Sequence, residues 1–237
     1  MGRGILPFFC SLKILAYTQL WKRPELTRLV FKQINRIGDP FVTPFAVLSE
    51  DYMKGICEDE GVKWVYAPNE PLSDKHNIGL QATLSLDWDY CLSFGSDDLI
   101  SHRIFEVYGD VIKEGVDFAG LNDMWFYHKG SLKTHTYKQK NASYGAGRLI
   151  SRRLAEKLNG NVWAKNGRIT RIDTDSRDII QRAGFKHTVI RTDLPVVVDV
   201  KTEINLWPYD HWKGQEVSLK ELEKTFDNPI LEQLKSC

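Results

Sequence analysis

The chain has 237 residues, of which 42% are hydrophobic and 27% charged, with 32 Lys and Arg against 31 Asp and Glu. This is the make-up of an ordinary soluble globular protein of one large or two small domains, and a formal net charge of +1 points to no class of partner. The four cysteines, at positions 10, 57, 91 and 237, have neither metal-ligand nor redox spacing, which excludes a thiolate zinc cluster and a dithiol motif.

In chain order, the apolar start ILPFFCSLKILAY is interrupted by Lys13, is too short to span a bilayer and precedes no small-residue cleavage site. Leu6 stands where a myristoylation pattern wants Ser or Thr. Cys57 and Cys91 lie in apolar periodic segments and read as buried free thiols of a reducing compartment, so a cytoplasmic protein is expected. The first strand is predicted over residues 12–17 (LKILAY), followed by the loop TQLWKR. Pro24 suits a first helical position, and PELTRLVFKQINRIG (24–38) carries Leu26, Leu29, Val30 and Ile34 on one face, with Gly38 as its stop. Next come a strand at 41–48 (FVTPFAVL), Ser49 as N-cap of a helix at 50–60, and a strand at 62–67 (VKWVYA). A loop at 68–73, a helix at 74–86 (DKHNIGLQATLSL) and a strand at 89–94 (DYCLSF) complete the first part. This alternation predicts right-handed parallel crossovers in an α/β sheet.

Beyond residue 100 the rhythm changes. A helix is expected at 101–115, short strands and turns over 116–137, and a glycine turn into a helix over 144–160. There follow a helix at 173–184 with acids in its first turn, one or two strands over 187–202, and a terminal helix over 218–226. No repeat, low-complexity tract or linker divides the chain. One domain over 1–237 is expected, its second part completing the sheet that the first begins.

Ligands in such sheets bind beyond the carboxyl ends of the strands, where residues 18–23, 49–51, 68–74 and 96–98 fall. The last of these ends the run YCLSFGSDDLIS, an apolar strand leading into two adjacent acids. Asp97 and Asp98 repel each other unless a cation or solvent compensates. The other reading is a solvated turn, with Asp or Ser capping a helix.

The order of YTQLWKRPELT, VLSED, KHNIGL, SFGSDDL, YGAGRLISRRL and RIDTDSRDIIQRAGF, over residues 12–201, resembles that of a GT-A-fold, family-two-like nucleotide-sugar glycosyltransferase. The resemblance implies a Rossmann-like, mostly parallel central sheet flanked by helices, with a nucleotide-sugar-binding half at 12–100 and an acceptor-side and catalytic half at 101–237. It also implies a nucleotide-sugar donor, a UDP-sugar, and a divalent cation, Mn or Mg, on the donor diphosphate at GSDD. Asp97 and Asp98 would bind that cation, although Gly95 and Ser96 replace acids common in the family; few carboxylates plus phosphate oxygens suit a hard cation. The start of the helix IDTDSRD would supply the base of an inverting transfer, Asp173 with Asp175 in reserve, and Ile172 stands where the family often has an acid. The competing reading there is acids favoured by the helix dipole. Asp199 would be a further cation ligand with Lys201 near the diphosphate; His211 as ligand, or Asp199 and Lys201 as a structural ion pair, are the alternatives. Thr18, Arg23, Ser49 and Glu50 occupy the positions for donor base and ribose. Lys75 and Asn77 occupy those near diphosphate and ribose.

From residue 126 to 171 eleven basic residues, among them Lys133, Lys138, Lys140, Arg148 and Arg152, are opposed by Glu156 alone, with Tyr127, Tyr137, Tyr144 and Trp163 interleaved. In the family this region lies beside the acceptor. Such an excess suggests a polyanion: a modified base in DNA, as for some phage glycosyltransferases, or equally an anionic polysaccharide, a teichoic-type polymer or a phospholipid-linked acceptor. A neutral oligosaccharide stacked on Trp125 or Trp163 and a solvated basic face are the other readings. GAGRLI at 145–150 lacks the third glycine of a dinucleotide fingerprint. Two rival functions remain: a sugar-nucleotide nucleotidyltransferase, against which stands the lack of a glycine-rich basic loop after the first strand, and a non-catalytic nucleic-acid- or glycan-binding protein.

Overall fold

The computed structural model describes residues 12–38, 40–164, 172–205, 209 and 214–236. His211, Lys165, Arg168 and Arg171 lie outside the described residues. The strands β1 (Ile14–Gln19), β2 (Val42–Leu48), β3 (Lys63–Tyr66) and β4 (Tyr90–Gly95) alternate with the helices α1 (Pro24–Gly38), α2 (Tyr52–Asp59) and α3 (Leu72–Thr83). Then come β5 (Asp98–Ile100), α4 (Ile104–Lys113), β6 (Phe118–Leu121), β7 (Asp123–His128), β8 (Lys133–Lys138) and β9 (Arg148–Ser151). The chain continues through α5 (Arg152–Lys157), α6 (Ile172–Arg182), β10 (Thr188–Ile190), β11 (Val197–Lys201), β12 (Gln215–Val217), a 3-10 turn (Leu219–Lys224) and α7 (Asn228–Ser236).

Seven strands form one sheet in the order β10-β6-β9-β4-β1-β2-β3. Its pairings are parallel except those of β9, which runs against β4 and β6. The chain thus builds outward from β1 on one side through β2 and β3, and on the other through β4, so the strand order reverses at β1 and β4. That reversal opens a crevice beyond their carboxyl ends, the usual ligand site of open α/β sheets. A second sheet, β12-β8-β7-β11-β5, stands beside it.

The two-residue side-chain period of a strand explains how β1 serves two cores. Ile14 and Ala16 join a cluster with Leu92, Phe94, Leu99, Trp125 and Val198 that ties the two sheets together. Leu15 and Tyr17 face the other way, into a cluster with Leu80, Trp88, Cys91 and Ile150. Each such side chain fully removed from water stabilises the fold by about 1.5–3 kcal/mol. Gly79 lets α3 lie close on the sheet, because a Cβ there would overlap Val47 and the Tyr17 hydroxyl.

Three elements differ from the sequence reading. Residues 98–100 form the buried strand β5, paired with β11, and not a solvated turn. Between the glycine turn and α5 lies β9, whose apolar Leu149 and Ile150 are completely buried, and Ser151 then caps α5 by accepting from the Leu154 amide at 3.1 Å. The terminal helix at 218–226 is a short 3-10 turn, and an α-helix follows it with Pro229 in its first turn. Among the described residues no helix is long and apolar enough to cross a membrane.

Candidate active site

The crevice is a cleft of about 550 Å³. Its walls come from the loop after β1, the start of α3, the end of β4, β7, the glycine turn before β9, the start of α6, and the end of β11. Two acidic centres lie on it.

The first centre is at the carboxyl end of β4. Antiparallel pairing of β5 with β11 sets Asp98 directly opposite Asp199, an arrangement that like charges oppose. Burial, then Asp199, then Asp97 raise the Asp98 carboxyl well above the usual carboxylate range. Asp199 is pushed up to about 6 by burial, with the Lys201 ammonium opposing the shift. Lys201 pairs with Asp199 Oδ2 at 2.6 Å, while Asp199 Oδ1 is buried without a hydrogen-bond partner. Asp97 accepts from Asn205 Nδ2 at 2.9 Å and is ion-paired with Arg23. Delivering Arg23 there takes two consecutive non-glycine residues in the left-handed region, Lys22 and Arg23, both at φ 55, at about 1–3 kcal/mol each.

Asp98 and Asp199, facing across the strand pair with one orphaned buried oxygen, are carboxylates of the kind a hard cation takes. Among the described residues no group of three or more His, Cys, Asp or Glu is spaced to enclose a metal by itself. The fit is therefore to a cation completed by phosphate oxygens, the way Mg is usually bound with one or two carboxylates.

Beside this centre, Lys75 is fully buried and donates to Asn69 Oδ1 at 3.0 Å and to the Leu20 carbonyl. Burial pushes its ammonium down to about 8, opposed by Glu50. His76 lies against Trp163, ring centroids 4.5 Å apart and tilted by 30°, and is lowered to about 3 by burial, then by the charges of Lys75 and Arg148. It is a neutral imidazole.

The second centre is at the start of α6. The Asp173 carboxylate is 50% exposed and lies 3.3 Å from the buried Arg148 guanidinium. A Cβ on Gly145 would overlap that carboxylate, so the glycine turn passes as close to it as a backbone can. Next to it Ser143 Oγ meets His187 Nε2 at 2.8 Å, and burial with the charges of Arg148 and Arg177 lowers His187 to about 4.

The cleft thus brings together Arg23, Lys75, Asp97, Asp98, Asp173, Asp199 and Lys201. Others stand apart from its lining. Asn77 spends both amide atoms on the Trp163 backbone, at 2.8 and 3.0 Å, and so holds Trp163 in place. Thr18 is fully buried on the face of β1 opposite Tyr17, and Gln19 takes the cleft position. Ser49 and Glu50 follow β2 outside the lining, with Ser49 Oγ and Glu50 Oε2 buried and unpartnered. Asp175, one residue past the cleft-facing Thr174, is off the lining. Trp125 is buried in the core between the sheets, because on β7 its neighbours Met124 and Phe126 take the cleft side.

Among the described residues of the basic run, four have acids distant in sequence beside them. Lys133 pairs with Glu216, Lys138 with Asp193, Arg153 with Asp117, and Arg148 with Asp173. Lys140 is exposed and off the cleft lining. Arg152 pairs with Glu156 and donates to the Leu84 and Leu86 carbonyls over the Trp88 ring. It sits by Tyr90, the first residue of β4, at the end of the sheet away from the cleft. Sequence reasoning did not single out Arg148, His76 or His187 as site residues; the one signal was an arginine beginning the apolar run RLI.

No family model matches the chain, and no curated protein does. Solved structures match it. The 4-diphosphocytidyl-2C-methyl-D-erythritol synthase of Anaerococcus prevotii superposes with a TM-score of 0.51 at 12% identity, over 80% of this chain and 91% of that one. Residues 1–349 of TarS from S. aureus superpose with a TM-score of 0.56 at 9% identity, over 80% of this chain and 60% of that one. The chain has a GT-A-like fold. Identities this low show the fold and nothing finer.

Proposed function

We propose that this GT-A-like chain is an inverting glycosyltransferase that moves a sugar from a nucleotide-sugar donor, a UDP-sugar, to a hydroxyl acceptor. One observation carries the reading: a single cleft has a buried acidic centre with lysine and arginine at one end and a half-exposed carboxylate at the other. The first suits a diphosphate and the second an incoming hydroxyl.

Asp98 and Asp199, with Asp97 beside them, would hold a divalent cation, Mn or Mg. Bound there, it would supply Lewis-acid stabilisation of the departing diphosphate. Lys201 and Lys75 add positive charge on the donor side. Asp173 accepts the proton of the acceptor hydroxyl as general base. The acceptor oxygen then bonds to the anomeric carbon as that carbon's bond to the diphosphate oxygen breaks, and the nucleoside diphosphate leaves with both electrons. Attack from the side opposite the leaving group inverts the anomeric centre.

Of the two solved structures, one is a nucleotidyltransferase and the other a glycosyltransferase, so the rival reading has the same fold. The loop after β1 favours the glycosyltransferase reading. A nucleotidyltransferase needs donors there for a triphosphate, whereas this loop, LWKR, has no glycine and its Arg23 is engaged by Asp97. The test is product analysis. Incubated with UDP-glucose, UDP-galactose or UDP-N-acetylglucosamine and manganese, the protein should release UDP, and EDTA should stop it. Pyrophosphate release from a nucleoside triphosphate and a sugar phosphate, with no UDP from any donor, would overturn the proposal.

A further inference from the structure

We infer that Arg148 is a positioning residue for Asp173: a buried guanidinium that fixes the direction in which this carboxylate faces the cleft. The inference rests on reading Asp173 as the base. Arg148 opens β9 and is 2% exposed, covered by the Phe118 ring at 5.2 Å. A guanidinium at that depth is costly without a counter-ion. Among the described residues the one acid within ion-pair distance is Asp173, at 3.3 Å. That carboxylate is half exposed, so one side chain reaches from a buried cation to the open cleft.

The geometry leaves the carboxylate little freedom. Arg148 also donates to Ser176 Oγ at 2.8 Å, and Ser176 Oγ donates in turn to the Asp173 carbonyl at 3.0 Å. One guanidinium nitrogen, Nη1, therefore meets both the Asp173 carboxylate and the Ser176 hydroxyl of α6 while Nη2 points to the glycine turn, a fork that a lysine's single ammonium does not reproduce. Its far side donates to the Tyr144 carbonyl at 3.5 Å, tying the same group to the glycine turn. Gly145 in that turn closes the other side of the carboxylate, where there is no space for a Cβ. Arg148 belongs to the cleft wall but is only 2% exposed, whereas the Asp173 carboxylate it holds is half exposed, so its action on a substrate is assigned through Asp173. Its charge is also among the causes that keep His76 and His187 low, which places its field across the cleft.

A double-mutant cycle tests this. Wild type, Arg148→Lys, Arg148→Met, Asp173→Asn and the Arg148→Met/Asp173→Asn pair would be compared in UDP release from the best of the three UDP-sugars with manganese. Arg148→Met should lower kcat by about 100-fold, as a misplacement of about 1 Å does, with KM for the donor changed less than about threefold. Arg148→Lys should recover part of that loss. In the Asp173→Asn background, Arg148→Met should cost less than about threefold more. Losses that multiply, or a full rescue by lysine, would overturn the inference. If Arg148→Met does not fold, the split between kcat and KM in Arg148→Lys carries the test. The same cycle read in urea denaturation separates this idea from the base assignment. If Asp173→Asn keeps full turnover, the base reading fails, and coupling in denaturation still supports the hold of Arg148 on Asp173. Independent effects in denaturation overturn that hold whatever the turnover.

Discussion

The two acidic centres of the cleft differ in every respect that sets what a carboxylate can do. Asp98 and Asp199 face each other across a strand pair; burial, Asp199 and Asp97 lift the Asp98 carboxyl, and burial and Asp97 lift that of Asp199. Asp173 is half in solvent and ion-paired with the buried Arg148. Crowded buried carboxylates gain from a divalent cation and its phosphate ligands. A carboxylate with one cation behind it and open space in front is placed to meet a substrate hydroxyl. The same residue type thus takes two jobs, and the environment assigns them.

Several changes would break or sharpen this contrast. Gly145→Ala forces a methyl group into the Asp173 carboxylate, so sugar-transfer turnover should fall by about 100-fold while calorimetry with UDP and manganese shows unchanged affinity. An equal loss of affinity would mean that the two centres are not separate. A milder test uses Lys75, on the donor side. Since burial holds its ammonium near 8, the charged form prevails below that pH and gives way to the neutral amine above it. UDP affinity should accordingly drop by about tenfold as pH rises through about 8, the scale of one lost charge-assisted hydrogen bond. In Lys75→Met that step should be absent. The smallest effect is expected on the second sheet. Lys133 and Lys138 are exposed and paired with Glu216 and Asp193. Replacing both with Gln should shift denaturation stability by less than about 1 kcal/mol per pair and leave UDP affinity unchanged. A large loss of acceptor binding, with a flatter salt dependence, would return the polyanion to first place.

The sequence was most readable where structure is local. Pro24, the apolar stripe of α1 and the alternation of strands and helices through residue 95 all follow from short-range periodicity, and with them the crevice where Asp97 and Asp98 stand. Long-range pairing was not readable. Nothing near residue 98 says that β11, about a hundred residues on, will lie against it, so the burial of Asp98 opposite Asp199 had no local sign. The partners of charged residues were hidden for the same reason: Glu216, Asp193 and Asp117 pair with Lys133, Lys138 and Arg153 from outside the run at 126–171. Asn77 and Trp125 had suitable chemistry for a site, but helix phase and strand alternation turned one onto the Trp163 backbone and the other into the core. Arg148 looked like one more basic residue because burial is a property of the assembled sheet.

The most direct measurement sets Asp98→Asn and Asp173→Asn side by side, with UDP affinity in manganese by calorimetry and turnover of a UDP-sugar measured on the same preparations. Opposite patterns are expected. Asp98→Asn should lose cation-dependent UDP binding, and turnover with it. Asp173→Asn should keep that binding within about twofold while turnover falls by roughly 100- to 10,000-fold, the range for removing a general base. If Asp173→Asn loses UDP binding as Asp98→Asn does, or if Asp98→Asn binds UDP and manganese as the wild type does, the division of work between the two centres is contradicted.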